Sequence, residues 1–503
     1  MNESIERKTG AVLSYISIII NTLIQLLYTQ LLIKKLGQSE FGLYSLVSSI
    51  IGYLTVLDLG FGNSIIVYTS RYRAQNKKEE EKKLHGMFKI IFIIIGIIAA
   101  ILGLILFIFV DNIFGKTMSN TELGKMKIMM LILSFNLLIT FSFSIYNSII
   151  SAYEKFTYQK IVSIISSILK PLIMIPFLYL GFKSITMCIV ITIVNVLVLL
   201  SNYLYCKNKL KINTKFLGFD KAIFKTILGY SIWIFLGVIV DKINWSVDQF
   251  VLGSVSGTIA VSVYSIASTL NTLFINLSTA ISGVLLPKMS KMIATKTSSK
   301  ALTSEMIKVG RIQYYIIFLM VSGLVIFGKQ FIEIWLGKGF EESYYVSLIL
   351  IIPVCFPLIQ NLGISIMQAM NKYKFKSIST FIMAIINVII SIFLAKKYGA
   401  IGAALGTAIG LVICNIILIN VYYYKEIKIN VFKFWKEILK MTIVFLVPVL
   451  IIEILINIIN INGLLFLIIY IPIYVFIYCI ISYFLVMNNY EKNIIKKIKQ
   501  RRK

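Results

Sequence analysis

Asp58 and Lys170 fall deep inside long apolar runs, the first within Leu57-Asp58-Leu59-Gly60-Phe61-Gly62-Asn63 and the second directly before Pro171. An ionised group among hydrocarbon side chains is costly, so each must pair, reach water or meet a charged ligand. A structural ion pair, including one between these two residues, and a contact with an anionic substrate both satisfy that requirement. Gly60 and Gly62 would loosen a helix around Asp58 and free backbone groups near Asn63, while Pro171 removes a helical donor beside Lys170.

Two polar stripes recur at helical spacing. Ser14, Ser17, Asn21, Gln25 and Tyr28 are separated by 3, 4, 4 and 3 positions, and Ser262, Ser265, Thr269, Thr272, Asn276 and Thr279 by 3, 4, 3, 4 and 3. Hydroxyls and amides on one helix face can replace water around a polar solute, or hold one helix to another. Arg71, Arg73 and Arg311 have the planar fork that grips a pyrophosphate, and equally suit plain anchoring at a membrane surface. No catalytic residue, metal or cofactor is expected. The five cysteines are scattered without a CxxC pair and read as apolar fillers, and the single His85 is placed in a polar loop.

The elements that must hold these residues follow from composition. Of 503 residues 58% are hydrophobic and 14% charged, too few charges to clothe a water-exposed surface. A mean hydropathy of +0.88 and repeated apolar runs of membrane-crossing length predict an all-α polytopic membrane protein. Fourteen spans are expected, among them 11–33, 41–68, 161–180, 223–240, 256–286, 378–394, 401–424 and 464–487. The first is kept as an uncleaved span because it is too long for a signal-peptide core. With both termini cytoplasmic, 38 of the 50 basic residues fall in the cytoplasmic segments or at the span ends that border them, and Lys170 alone lies midway through a span. That bias sets the orientation, and the net charge of +29 reads as topology and attraction to anionic headgroups rather than nucleic-acid binding. Every outer loop is short, which excludes an extracytoplasmic catalytic domain. Asp241, Lys242 and Asp248 are placed in one such solvated loop.

The sequence also repeats. At an offset of 217, Ala152, Lys155, Phe156 and Tyr158 match Ala369, Lys372, Tyr373 and Phe375. The turn at Gly181 echoes that at Gly399, and Phe41-Gly42-Leu43-Tyr44-Ser45 echoes Val261-Ser262-Val263-Tyr264-Ser265. Two parallel six-helix bundles around a central cavity are expected, at 1–210 and 211–425, followed by two added helices at 426–490 and a basic cytoplasmic tail at 491–503.

The segments Leu36-Gly37-Gln38-Ser39-Glu40-Phe41-Gly42-Leu43-Tyr44-Ser45, Leu57 to Asn63, Gln368-Ala369-Met370-Asn371-Lys372 and Gly399-Ala400-Ile401-Gly402-Ala403-Ala404 resemble the polysaccharide transporter family of bacterial oligosaccharide flippases, within the multidrug/oligosaccharidyl-lipid/polysaccharide exporter superfamily. The resemblance implies movement of an undecaprenyl-pyrophosphate-linked oligosaccharide from the inner to the outer leaflet of the bacterial cytoplasmic membrane by alternating access. Membrane lipids would be its surroundings, and glycosyltransferases and a polymerase of the same pathway further partners. The two added helices are similar to the pair that shapes a groove for the polyprenyl tail in the lipid II flippase branch. The first helix here has no central Arg, unlike that branch, which favours a capsule, O-antigen, exopolysaccharide or teichoic-type glycan. A cation-coupled multidrug exporter with Asp58 as its ion site is the alternative. A membrane glycosyltransferase would need acidic residues on a sizeable outer loop, which the short loops do not offer.

Overall fold

Inside a bilayer no water can satisfy a backbone amide, so runs rich in Ile, Leu and Phe must close their hydrogen bonds internally. The computed structural model describes residues 3–279, 292–293, 298–370, 372–459 and 461–493, and among these there is helix and no strand. The chain divides into two compact units, Met1–Ser265 and Ile266–Lys503.

The first unit holds α1 (Glu3–Leu36), α2 (Gln38–Leu54), a 3-10 turn (Thr55–Asp58), α3 (Phe61–Ala74), α4 (Lys78–Phe114), α5 (Asn120–Ala152), α6 (Phe156–Tyr179), α7 (Ser184–Asn208), α8 (Lys221–Val255) and the start of α9 (Gly257–Thr279). Its broadest packing is α4 on α5, α5 on α7 and α1 on α6. Small residues set those approaches: a Cβ on Gly103 would stand 2.1 Å from Ser134 Oγ, and one on Gly96 2.8 Å from the Leu138 carbonyl oxygen.

The second unit continues with α10 (Ser299–Leu336), α11 (Glu341–Ile359), α12 (Asn361–Ala369), α13 (Lys374–Leu411), a π-helical turn (Val412–Leu418), α14 (Ile419–Lys425), α15 (Val431–Ile459), α16 (Leu464–Ile481) and a second π-helical turn (Ser482–Val486). Among the described residues, twelve helical segments are long and apolar enough to cross a membrane. One of them, Lys374–Lys425, is 52 residues long and reverses at Gly399 (φ 56°), so it makes two crossings. Its legs touch closely: Ser391 Oγ donates to the Ala403 carbonyl at 3.2 Å, and Gly402 and Gly406 leave no room for a Cβ. With α8, 35 residues and about 50 Å long at 1.5 Å per residue, the total reaches the fourteen spans expected. The fold is that of a multi-pass, all-α membrane protein.

Three local expectations are corrected. His85 is not in a polar loop: α4 starts at Lys78, where Glu79, Glu80 and Glu81 favour a helix N-terminus. His85 is therefore buried in the helix, its Nε2 3.0 Å from Thr69 Oγ1. Asp248 is not in a solvated outer loop either. Helix α8 runs on to Val255, and Asp248 is 1% exposed with the Tyr264 hydroxyl donating to its carboxylate. Lys242 lies in the same helix.

Candidate functional site: a polar cavity in the first unit

The sequence around Asp58 breaks its span where expected. Leu59 (φ 51°) and Gly60 (φ 73°) both take the left-handed conformation, so α2 cannot continue and α3 begins afresh at Phe61. This puts the Asp58 carboxylate at the N-terminus of α3, facing the backbone amides of Gly60 and Gly62. The positive end of a helix meets part of the acid's charge without a counter-ion. Gly62 lets the backbone come this near: a Cβ there would lie 3.6 Å from Asp58 Oδ2 and 3.4 Å from Ser148 Oγ.

Lys170 comes to the same cavity from α6, which carries Pro171 and Pro176 inside it. Pro171 has no N–H, so the carbonyl of Ser167 loses its helical donor beside the ammonium. The cavity measures about 500 Å³ and is walled by α3, α5, α6 and α7. Among the described residues no ion pair joins Asp58 to Lys170 or gives Lys170 another acid, so both the acid and the ammonium remain available to a ligand.

The rest of the wall is neutral and polar. On α6, Gln159, Ser163, Ser166 and Lys170 follow one another at spacings of 4, 3 and 4, and on α5 Thr140, Ser144 and Asn147 at 4 and 3. Gln159 Nε2 donates to the Asn147 Oδ1 at 2.9 Å and to Ser151 Oγ at 2.7 Å, which fixes the amides that face the cavity. Asn195 of α7 holds Asn136 Oδ1 and Thr140 Oγ1 at 2.5 and 2.7 Å behind it. These residues escaped the reading of the sequence, although the helical spacing that picked out α1 and α9 would have found them.

The polar stripes on α1 and α9 lie outside this cavity. None of Ser14, Ser17, Asn21, Gln25 and Tyr28 lines this cavity. Ser17 is buried and accepts from Asn21 Nδ2 at 3.1 Å, Ser14 and Tyr28 are half-buried, and Gln25 is exposed. On α9, Ser262 bonds its own helix at Ile259 and Ser265 Oγ donates to Ser45 Oγ of α2 at 3.1 Å, which is helix-to-helix packing. Thr272 bonds the Ser268 carbonyl, Thr269 is half-buried, Asn276 is exposed, and the Thr279 side chain lies outside the described residues. Asn63 is exposed on α3.

The arginines part company. Arg71 is exposed, 5.3 Å above the Tyr68 ring. Arg73 donates to the Ala152 carbonyl at 2.7 Å and covers the Tyr153 ring at 3.8 Å. Arg311 is buried and committed: Nε and Nη2 donate to the two Glu491 oxygens at 2.6 and 2.9 Å, and Nη2 also to the Val486 carbonyl at 2.9 Å. Glu437 stands 3.7 Å from its remaining nitrogen. Its fork clasps the segment after α16 to α10 and offers a phosphate nothing.

Within the second unit, α10, α11 and α15 enclose a groove of about 520 Å³ lined by Phe318, Ile352, Phe356 and Leu439, with exposed Lys436 at its side.

Against known families, the family model described as Polysaccharide biosynthesis protein matches residues 8–293, more than half of the chain. The chain belongs to the polysaccharide biosynthesis protein family. A relative from Shigella flexneri, described as "Putative O-antigen transporter", is 23% identical over 407 residues, which is 79% of this chain and 93% of the relative. Among solved structures, the lipid II flippase MurJ in an inward closed conformation aligns with a TM-score of 0.73 at 20% identity, covering 94% of this chain and 97% of that one. An inward-facing multidrug resistance MATE family transporter aligns at 0.68 and 16% identity, covering 81% and 96%. The fold of this polysaccharide biosynthesis family member is therefore also that of a lipid II flippase and of a multidrug resistance transporter. The relative and both solved structures are described as transporters or as a flippase.

Proposed function

We propose that the protein moves an undecaprenyl-pyrophosphate-linked oligosaccharide from the inner to the outer leaflet of the bacterial cytoplasmic membrane, by alternating access and without breaking a bond. The observation that carries this reading is the cavity in which Lys170, in no ion pair among the described residues, stands among serine hydroxyls and asparagine and glutamine amides. Such a surface exchanges water for sugar hydroxyls at little cost, because each donor and acceptor lost to solvent is replaced. The ammonium offsets the diphosphate charge.

Asp58, already met by the amides of α3, supplies acceptors for sugar hydroxyls rather than a net repulsive charge. The apolar groove beside α15 suits the polyprenyl tail, which never has to leave hydrocarbon. Arg71 and Arg73 lie on the same helix end, which the lysine asymmetry makes cytoplasmic. Both termini are then cytoplasmic, and the glycosyltransferases and polymerase that build and consume the cargo are the expected partners.

The test is reconstitution into liposomes with a fluorescent polyprenyl-pyrophosphate oligosaccharide, measuring its passage between leaflets. Wild-type protein should speed transfer and Lys170→Ala should slow it at least about tenfold, the loss of roughly one charge-assisted hydrogen bond. If small organic cations move instead, needing Asp58 but not Lys170, the exporter reading replaces this one.

A further inference from the structure

A second cavity, about 690 Å³, opens at the end of the first unit where α3 turns into α4 and α5 into α6. Its frame is rigid. Arg73 is held by the Ala152 carbonyl and stacked on Tyr153, whose hydroxyl donates to Glu81 Oε1 at 2.7 Å. Glu81 and Glu154 both line the space, so the wall carries two carboxylates beside its cations. Lys78 and Lys211 also line the space, both exposed, and among the described residues neither enters an ion pair. Asn76 and Asn213 add neutral amides.

The second unit supplies an internal comparison. The turns that build this wall recur at the offset of 217: Lys155 N donates to the Ile150 carbonyl as Lys372 N does to Met367, and Ile212 N to Cys206 as Ile429 N to Tyr423. Lys211 (φ 56°) and Lys428 (φ 59°) are both left-handed. The backbone is thus inherited from the repeat, but the charge is not. Lys372 Nζ meets Glu426 Oε2 at 3.3 Å in the second unit, where the first has Lys155 and Lys209, two cations at the matching positions. Met370 stands where the first unit has Tyr153. A shared scaffold explains the turns; it does not explain the aromatic shelf of Tyr153, or the exchange of Glu426 for Lys209 beside the cavity, in one copy only.

We propose that this cavity is a phosphate site, distinct from the cavity around Lys170, that takes a phosphate or diphosphate group against Lys78, Lys211 and the unused edge of the Arg73 guanidinium. Two sources share that chemistry: a phospholipid headgroup at the membrane surface and a water-soluble diphosphate. Only the biological identity of the ligand rests on the flippase reading; the binding itself does not.

The full-length protein is titrated with inorganic pyrophosphate in detergent, followed by calorimetry and by thermal melting. The same melting is measured in nanodiscs of phosphatidylcholine with and without phosphatidylglycerol. Stabilisation by pyrophosphate in detergent marks a soluble source, and stabilisation by phosphatidylglycerol alone marks a lipid one. In either medium the K78Q/K211Q double variant should weaken the effect about tenfold, K78R/K211R should restore it, and added salt should diminish it. Both lysines are exposed, so the variants should fold. No stabilisation by either ligand, or the same affinity in K78Q/K211Q, overturns the proposal. Lys170→Ala should keep pyrophosphate binding while losing lipid transfer, so failure of the phosphate site and failure of the flippase reading are told apart.

Discussion

The ring of Tyr158 lies on that of Tyr205 with centroids 3.9 Å apart and planes inclined by 18°, tying the start of α6 to the end of α7. At an offset of 217 from each, Phe375 lies on Tyr422 at 4.2 Å and 4°. The hydrogen bonds around them repeat too, with Lys209 N and Leu210 N on the Tyr205 carbonyl and Glu426 N and Ile427 N on that of Tyr422. Four matched sequence positions thus grow into a matched piece of structure.

If the stacks do equal work, Tyr205→Ala and Tyr422→Ala should destabilise the protein to a similar extent, each losing about 1 kcal/mol of aromatic pairing besides the buried area. Tyr158→Phe should cost less, about 0.6 kcal/mol, because it loses only the bond to Ser201 Oγ at 2.7 Å. Thermal melting in detergent checks both. A melting point lowered by one alanine variant and untouched by the other would leave the likeness without a common energetic role.

Glycine substitutions should separate close packing from mere helix propensity. A Cβ on Gly42 of α2 would stand 1.9 Å from the Thr258 carbonyl oxygen of α9, whereas one on Gly124 of α5 meets nothing within 4 Å. Gly42→Ala is expected to force the helices apart at a cost of about 1–3 kcal/mol. Gly124→Ala should be neutral or stabilising by up to about 1 kcal/mol. Comparable melting points for the two variants would contradict the α2–α9 contact.

Much of this architecture could be read directly. Apolar runs and lysine placement gave the helices because the bilayer allows the backbone few alternatives. Asp58 and Lys170 stood out for the same reason, being expensive where they are, and they do share a cavity. What escaped was the neutral part of its wall, since Ser and Thr are as common at helix contacts as in cavities: Ser163 and Ser166 line the cavity, whereas Ser262 and Ser265, similarly spaced, pack within or between helices. Charge alone could not say whether Arg311 was free either. Its partner Glu491 is 180 residues away in sequence, and only the fold brings the two together.

That clasp makes stability depend on pH. Burial works to raise the Glu491 carboxyl, but the Arg311 guanidinium and the Asn488 amide outweigh it and hold the group below its ordinary value of 4.5. A depressed carboxyl contributes fully above its unfolded value and loses that contribution as pH falls through the lower folded one. Melting points should therefore hold steady down to about pH 5 and decline below it, with a smaller decline in Glu491→Gln. Arg311→Ala should cost about 3–5 kcal/mol at neutral pH, because it strands a buried carboxylate. A pH profile of Glu491→Gln that overlays the wild type would remove the clasp as its cause.

Orientation can be decided by single cysteines, and the answer bears on where cargo is loaded. Gln75 lies exposed in the turn between α3 and α4, and Lys116 exposed in the turn between α4 and α5, at opposite ends of one 37-residue helix. Cys188, Cys206, Cys355 and Cys414 are buried, so a background with Cys479 replaced by Ser should label weakly. In intact cells a membrane-impermeant maleimide should label Lys116→Cys readily and Gln75→Cys only after permeabilisation. That outcome puts Arg73, Lys78 and Lys211 at the cytoplasmic surface, where a diphosphate made from cytoplasmic precursors would first meet the protein. The reverse pattern would mean that the lysine excess faces outward, and a cavity that gathers phosphate there would receive cargo after transfer rather than before it.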